Sequence, residues 1–203
     1  MRIGLDLDGT VALYDEVFHC CAVAQFGMPP EIDADKLAIR AWFWKTPEGR
    51  RQWIELQGVV YGLRMDEARL APGLNCFLLL CRENGIPISI ISHKTEWPVV
   101  GPRVNLRDAA RQWLERHVLG ERLGIGTELV FFESTREEKI QRIVAQRCTH
   151  FVDDLREVFL EQSFPVGVSK LLYSPGGLDG LSDDLRIFSS WESIRDYFFK
   201  VAG

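Results

Sequence analysis

A three-layer α/β sandwich, with a mainly parallel sheet covered by helices on both faces in the Rossmann-like manner, is the architecture this 203-residue sequence predicts. Two observations predict it: apolar runs of strand length alternate with helical patterns along most of the chain, and several of those runs stop at short polar residues. A third observation sets one segment apart. From about Val11 to Ala71 the rhythm gives way to a mainly helical composition, which reads as an insertion after the first strand. The length suits one domain with room for an insertion, and 46% hydrophobic content is ample for a buried core.

Arg2–Leu5 is the first strand. Pro72 and the long apolar run from Gly73 to Asn84, stopped by Gly85, predict a buried helix. Ile86–Ile91 follows as the second core strand and ends at Ser92. Asn105–Val118 is amphipathic, with Asn105 as its N-cap and Asp108 in its first turn. Leu129–Phe132 makes the third strand. Ser134-Thr135-Arg136-Glu137 has the capping-box pattern, which predicts a helix over Glu137–Arg147 with Lys139 near its start. Phe151-Val152 is a short strand closed by Asp153-Asp154. The tail adds Val166–Tyr173, a Pro175-Gly176-Gly177 turn, Arg186–Phe188 and a final helix over Glu192–Phe199. There is no internal repeat and no low-complexity segment.

The formal net charge of −5 argues against a general nucleic-acid binder, which carries a basic excess or stripe. Small anionic substrates remain open, because a local site outweighs net charge. The five cysteines (Cys20, Cys21, Cys76, Cys81, Cys148) are odd in number and lack CxxC spacing, so they read as reduced, mostly buried thiols of a cytoplasmic protein. His19, His93, His117 and His150 stand at no zinc-ligand spacing. The N-terminus has no signal-peptide pattern and the longest apolar stretches are too short to span a bilayer, so no membrane partner is expected.

Asp6-Leu7-Asp8-Gly9-Thr10 carries the most information. It places two carboxylates where the first strand stops, and a chain turning at Gly9 can splay them around a common point. Taken alone the motif reads equally as a polar turn after a strand or as a site for a metal and a nucleophile. The rest of the chain favours the second reading. Asp6 and Asp8, Ser92, Lys139 and the Asp153-Asp154 pair all fall at or just beyond the carboxyl ends of successive predicted strands, where open α/β sheets form their ligand crevice.

These residues resemble the motifs of the haloacid dehalogenase-like superfamily: motif I in Asp6-Leu7-Asp8-Gly9-Thr10, motif II in Ile90-Ile91-Ser92, motif III in Lys139 and motif IV in Phe151-Val152-Asp153-Asp154. The resemblance covers the chain from Met1 to about Trp191. It implies a Mg²⁺-dependent phosphomonoesterase acting through an aspartyl-phosphate, with Asp6 as nucleophile and Asp8 as acid and base. An acidic residue at the Asp8 position marks phosphatases and phosphotransferases and speaks against halide displacement. The implied metal ligands are Asp6, the backbone carbonyl of Asp8, and Asp153, with Asp154 ligating or orienting metal-bound water. Ser92 and Lys139 are expected to hold phosphoryl oxygens; His93 beside them reads equally as a phosphate contact or as a structural residue, and Lys94 reads either as a ligand for a substrate anion or as a solvated loop lysine.

In that family an insertion between motifs I and II caps the site, and residues 12–71 match that position, leaving 1–11 and 72–203 as the core. No comparable insertion is expected between motifs II and III. The insertion carries Trp42, Phe43, Trp44, Trp53 and Tyr61 interleaved with Arg40, Lys45, Arg50, Arg51 and Arg64. Most of its aromatics should form the core of a small helical unit. Trp44, Lys45 and Arg51 are candidate contacts for a sugar phosphate or nucleoside monophosphate, the length and cap placement being similar to the cytosolic deoxyribonucleotidase branch. The same residues would serve a phosphotransferase, and a catalytically silent binding module is the reading from a different class.

Overall fold

The computed structural model describes residues 1–120, 122–177 and 184–199. In chain order its elements are β1 (Ile3–Leu5), β2 (Ala12–Leu13), α1 (Asp15–Phe26), α2 (Lys36–Phe43), α3 (Pro47–Gly58), β3 (Arg69–Leu70), α4 (Leu74–Glu83), β4 (Ile88–His93), α5 (Leu106–His117), β5 (Val130–Glu133), α6 (Arg136–Ala145), β6 (His150–Asp153), α7 (Arg156–Phe159), β7 (Ser169–Tyr173), β8 (Leu185–Phe188) and α8 (Trp191–Phe198). The chain divides into two units. One is Met1–Ala12, Leu70–Lys94 and Glu115–Gly203; the other is Leu13–Arg69 with Thr95–Leu114.

The first unit is built on six parallel strands in the order β5-β4-β1-β6-β7-β8. Continuous apolar runs suit strands buried on both faces, and side chains alternate between the two. Leu172 joins a cluster with Ile140, Ile143, Val158 and Phe159 from α6 and α7. Its neighbour Tyr173 instead packs on Trp191 of α8, at 5.7 Å between ring centroids, and Trp191 meets Phe77 of α4 at 5.2 Å. The sheet therefore carries helices on both faces, as predicted. Its register decides the site. Leu5 lies level with Val152 on one side and Ile90 on the other, so the next residue, Asp6, comes level with Asp153.

Several boundaries differ from the sequence expectation. Ile86 closes the turn that follows α4, its N–H donating to the Cys81 carbonyl, so β4 starts only at Ile88; β4 runs on through Ser92 and His93 because these pair with Phe132 and Glu133. β7 begins at Ser169, three residues late, since Val168 N–H closes a turn onto Pro165. The capping box sits one residue further on than expected: Thr135 caps and Glu138 reciprocates. Asn105 caps α5 as predicted, its Oδ1 accepting from the N–H groups of Arg107 and Asp108 at 3.0 Å.

The second unit packs α1, α2 and α3 around an aromatic core in which Phe18 stacks on Trp53 at 5.2 Å. Asp35 and Thr46 cap α2 and α3 with their side-chain oxygens. Phe18, Phe43 and Trp53 are buried, whereas Trp44 is 44% exposed. Residues 95–114, which the sequence reading left with the core, belong here. A Cβ at Gly58 would lie 2.8 Å from Pro98 and one at Gly62 would lie 2.3 Å from Val104, so these glycines admit the loop; Trp113 Nε1 donates to the Ala68 carbonyl at 2.9 Å. Among the described residues no helix is long and apolar enough to cross a membrane. All five cysteines are free; Cys21, Cys81 and Cys148 are buried, Cys20 and Cys76 exposed.

Candidate active site

Three strand ends and one helix build the site, all within the first unit. Asp6 follows β1 and stays in the ladder through its N–H, which donates to the Val152 carbonyl at 2.9 Å. Asp153 closes β6 and is fully buried; Ser92 lies near the end of β4. Lys139 sits in the first turns of α6, fixed by the Thr135–Glu138 capping box. Its Nζ donates to Asp6 Oδ1 and to Asp153 Oδ2, both at 2.6 Å, with the lysine side chain 2% exposed.

Burial acts against every charge here. It pushes the Asp6 carboxyl up to about 7, with Lys139 opposing and Asp153 and Asp8 adding to the rise. Burial also works to lower the Lys139 ammonium, but the two carboxylates outweigh it and hold the pKa above the ordinary lysine value. Lys139 is therefore a fixed positive charge between two acids.

Asp6, Asp153 and Asp154 each offer a carboxylate oxygen, all within 4.8 Å of one another. Three hard oxygen donors at that spacing fit Mg²⁺, which takes a few carboxylates and keeps waters for the rest of its octahedron. Asp153 Oδ1 is oriented by the Leu155 N–H at 2.9 Å. Asp154 accepts from Thr10 Oγ1 at 3.4 Å and lies over Gly9, whose φ is +90° and where a Cβ would come 2.2 Å from Asp154 Oδ2. Only glycine serves there.

The Asp8 carboxylate takes another direction from the metal-type cluster. Its Oδ2 pairs with Lys94 Nζ at 2.8 Å, and Lys94 is 4% exposed. This overturns the reading of Lys94 as a solvated loop residue. His93 is exposed, and its Nε2 lies 3.0 Å from the Ser134 carbonyl, which requires that nitrogen to carry the proton. Partial burial lowers the imidazole pKa, the Ser134 carbonyl opposing it. Trp44, Lys45 and Arg51 lie in the second unit, where the guanidinium of Arg40 stacks 4.4 Å from the Trp44 ring centroid. Thr10, which orients Asp154 and whose carbonyl accepts from Trp191 Nε1, was missed as a separate contributor.

No family model and no curated protein matches the sequence. Solved structures do match its fold. A haloacid dehalogenase-like family hydrolase from Streptococcus pneumoniae is 17% identical over 97% of each chain with a TM-score of 0.60. A HAD family hydrolase from Deinococcus radiodurans, with bound phosphate and sodium, is 16% identical over 98% of this chain and 95% of its own, at 0.59. A HAD-superfamily hydrolase from Ehrlichia chaffeensis is 15% identical over 100% of this chain and 97% of its own, at 0.54. With its six parallel strands between helices and motif residues at the strand ends, the chain has the fold of the haloacid dehalogenase-superfamily hydrolases.

Proposed function

We propose that this protein is a Mg²⁺-dependent phosphomonoesterase of the cytoplasm, acting on a small phosphorylated metabolite such as a sugar phosphate or nucleoside monophosphate. One observation carries the reading: a buried aspartate, Asp6, held 2.6 Å from a buried ammonium and within a three-carboxylate cluster. A carboxylate attacks phosphorus when a cation screens its repulsion from the substrate. The bound phosphate of the Deinococcus radiodurans structure supports a phosphate-handling crevice in this fold.

In this mechanism Asp6 attacks phosphorus and the ester P–O bond breaks, its electron pair passing to the leaving oxygen. Asp8 supplies that oxygen with a proton, then takes one from the water that attacks phosphorus and releases Asp6. Ser92 and Lys139 hold the phosphoryl oxygens as charge moves. Asp6, the Asp8 carbonyl, Asp153 and Asp154 would hold Mg²⁺, which when bound offsets the anionic charge of the phosphoryl group. The insertion, residues 12–71, supplies the groups that choose the substrate, with Trp44, Lys45 and Arg51 as the candidates.

The test is phosphate release from a panel of sugar phosphates and nucleoside monophosphates with Mg²⁺ or EDTA. Wild type should release phosphate only with Mg²⁺, and Asp6→Asn should be inactive while still folded. Full activity in that variant would sink the mechanism.

A further inference from the structure

We infer that Lys94 is a positioning residue for Asp8, holding by an ion pair the carboxylate that serves the leaving group; the inference rests on the phosphatase reading above. The pair is short, 2.8 Å from Lys94 Nζ to Asp8 Oδ2, and the two side chains are 2% and 16% exposed. A lysine free to reach solvent contributes little through such a pair, whereas one taken out of water demands a well-placed partner.

The backbone puts Lys94 there. β4 pairs Ser92 with Phe132 and His93 with Glu133, and the Lys94 N–H continues the ladder by donating to the Glu133 carbonyl at 2.9 Å. On an extended strand residues two apart face the same way, so Lys94 follows Ser92 to the crevice while His93 turns toward the Ser134 carbonyl. The two buried ammonium groups divide the acids between them: Lys139 binds Asp6 and Asp153, and Lys94 binds Asp8. Asp8 sits where the chain turns at Gly9, whose φ is +90°, and its carboxylate needs a fixed direction to meet a leaving oxygen. Lys94 neither gives nor takes a proton. It sets where Asp8 points.

The experiment uses the full chain with Mg²⁺ and a series of phenyl phosphates running from p-nitrophenyl to p-methoxyphenyl, in wild type, Lys94→Met, Lys94→Arg, Asp8→Asn and the Asp8→Asn/Lys94→Met double variant. Proton donation matters most for the poorest leaving group. Lys94→Met should therefore lower kcat/KM for p-methoxyphenyl phosphate by about 10-fold or more and for p-nitrophenyl phosphate by much less. Inhibition by inorganic phosphate should stay unchanged, Lys94→Arg should restore part of the loss, and Lys94→Met should cost nothing further once Asp8 is Asn. Thermal melts in EDTA read the pair without substrate: the two single losses should exceed what the double variant shows.

A uniform fall across the series with weakened phosphate inhibition would make Lys94 a phosphate ligand and overturn the inference alone. So would unchanged kinetics in Lys94→Met, or additive melting losses. Absence of phosphate release by wild type from every phenyl phosphate and every panel substrate would overturn the phosphatase reading, and the inference with it.

Discussion

Replacing Lys139 by Met tests whether a buried ammonium is what lets Asp6 and Asp153 share a crevice shielded from water. Met keeps an unbranched stem near the Phe151 ring, whose centroid lies 5.3 Å from Lys139 Nζ, and removes the charge with its two 2.6 Å contacts. Removing one member of a buried ion pair costs about 3–5 kcal/mol because the remaining charge is left uncompensated. Two charge-assisted hydrogen bonds at about 1.5–3 kcal/mol each give the same order. At roughly 2–4 °C per kcal/mol for a chain of this size, metal-free Lys139→Met should melt roughly 6–20 °C below wild type at pH 8. The deficit should depend on pH. Asp6 is raised by burial to about 7 against Lys139's opposing pull, so the variant's Asp6 rises further. A carboxyl raised in the folded state contributes stability that is present below its unfolded pKa and lost as pH climbs through the folded one. The deficit should accordingly be smaller at pH 5 than at pH 8, and Mg²⁺ should recover part of it. Lys170→Met is the control: its pair with Asp184, at 2.8 Å, has an 82% exposed carboxylate and is worth about 0–1 kcal/mol. Melts in EDTA across that pH range decide the matter. A Lys139→Met protein within about 2 °C of wild type at pH 8, or one with an equal deficit at both pH values, would refute the charge argument.

Asp6→Asn should melt above wild type in EDTA at pH 8, because ionised Asp6 is disfavoured by burial up to about 7, and the gain should narrow as pH falls below that value; calorimetry at pH 5 and 8 checks the sign. Mg²⁺ should raise the melting temperature of wild type by binding the folded state, and Asp153→Asn should weaken that shift; equal shifts in a Mg²⁺ titration would remove Asp153 from the metal set. Gly9→Ala should cost about 1–3 kcal/mol, since φ is +90° and the new methyl would meet Asp154 Oδ2 at 2.2 Å. It should also blunt the Mg²⁺ shift by displacing Asp154, and urea unfolding with and without Mg²⁺ measures both effects.

The alternation of apolar runs and helical patterns carried the sheet because buried parallel strands leave that trace in composition. Asp6, Ser92 and Asp153 were legible for the same reason, each standing where such a run stops, and Lys139 was legible from the capping-box pattern that marks the start of its helix. Lys94 was half legible. Its place two residues past Ser92 was visible, but its burial depends on β4 continuing past Ser92, which local composition does not encode; the Glu133 carbonyl that extends the strand is 39 positions away. The assignment of 95–114 was beyond reach for a like reason. Gly58 and Gly62 read as helix-weakening residues until Pro98 and Val104 are seen to press against them. The one-residue shift of the capping box reflects a sequence with adjacent candidates, Ser134 and Thr135 followed by Glu137 and Glu138, where only geometry chooses.

The distribution of buried polarity ties the fold to its chemistry. Among the described residues the buried polar or charged ones are Asp6, Thr10, Ser89, Ser92, Lys94, Lys139 and Asp153, and all but Ser89 belong to the one crevice at the strand ends. Stability alone would not select that arrangement. Apolar residues of similar volume in place of a buried ion pair are often neutral or stabilising, so each ionic contact here opposes the packing that surrounds it. The cost is met by a sheet apolar on both faces, with Leu172 packed among α6 and α7 and Tyr173 on Trp191. Four carboxylates, on Asp6, Asp8, Asp153 and Asp154, face two ammonium groups, on Lys94 and Lys139. Lys139 pairs with Asp6 and Asp153 on one side of the crevice, and Lys94 pairs with Asp8 on the other. Under the proposed mechanism a divalent cation would add positive charge beside Asp6, Asp153 and Asp154 and leave the Asp8–Lys94 ion pair in place, so the pairing of charges would set a nucleophile and metal side apart from a proton-handling side.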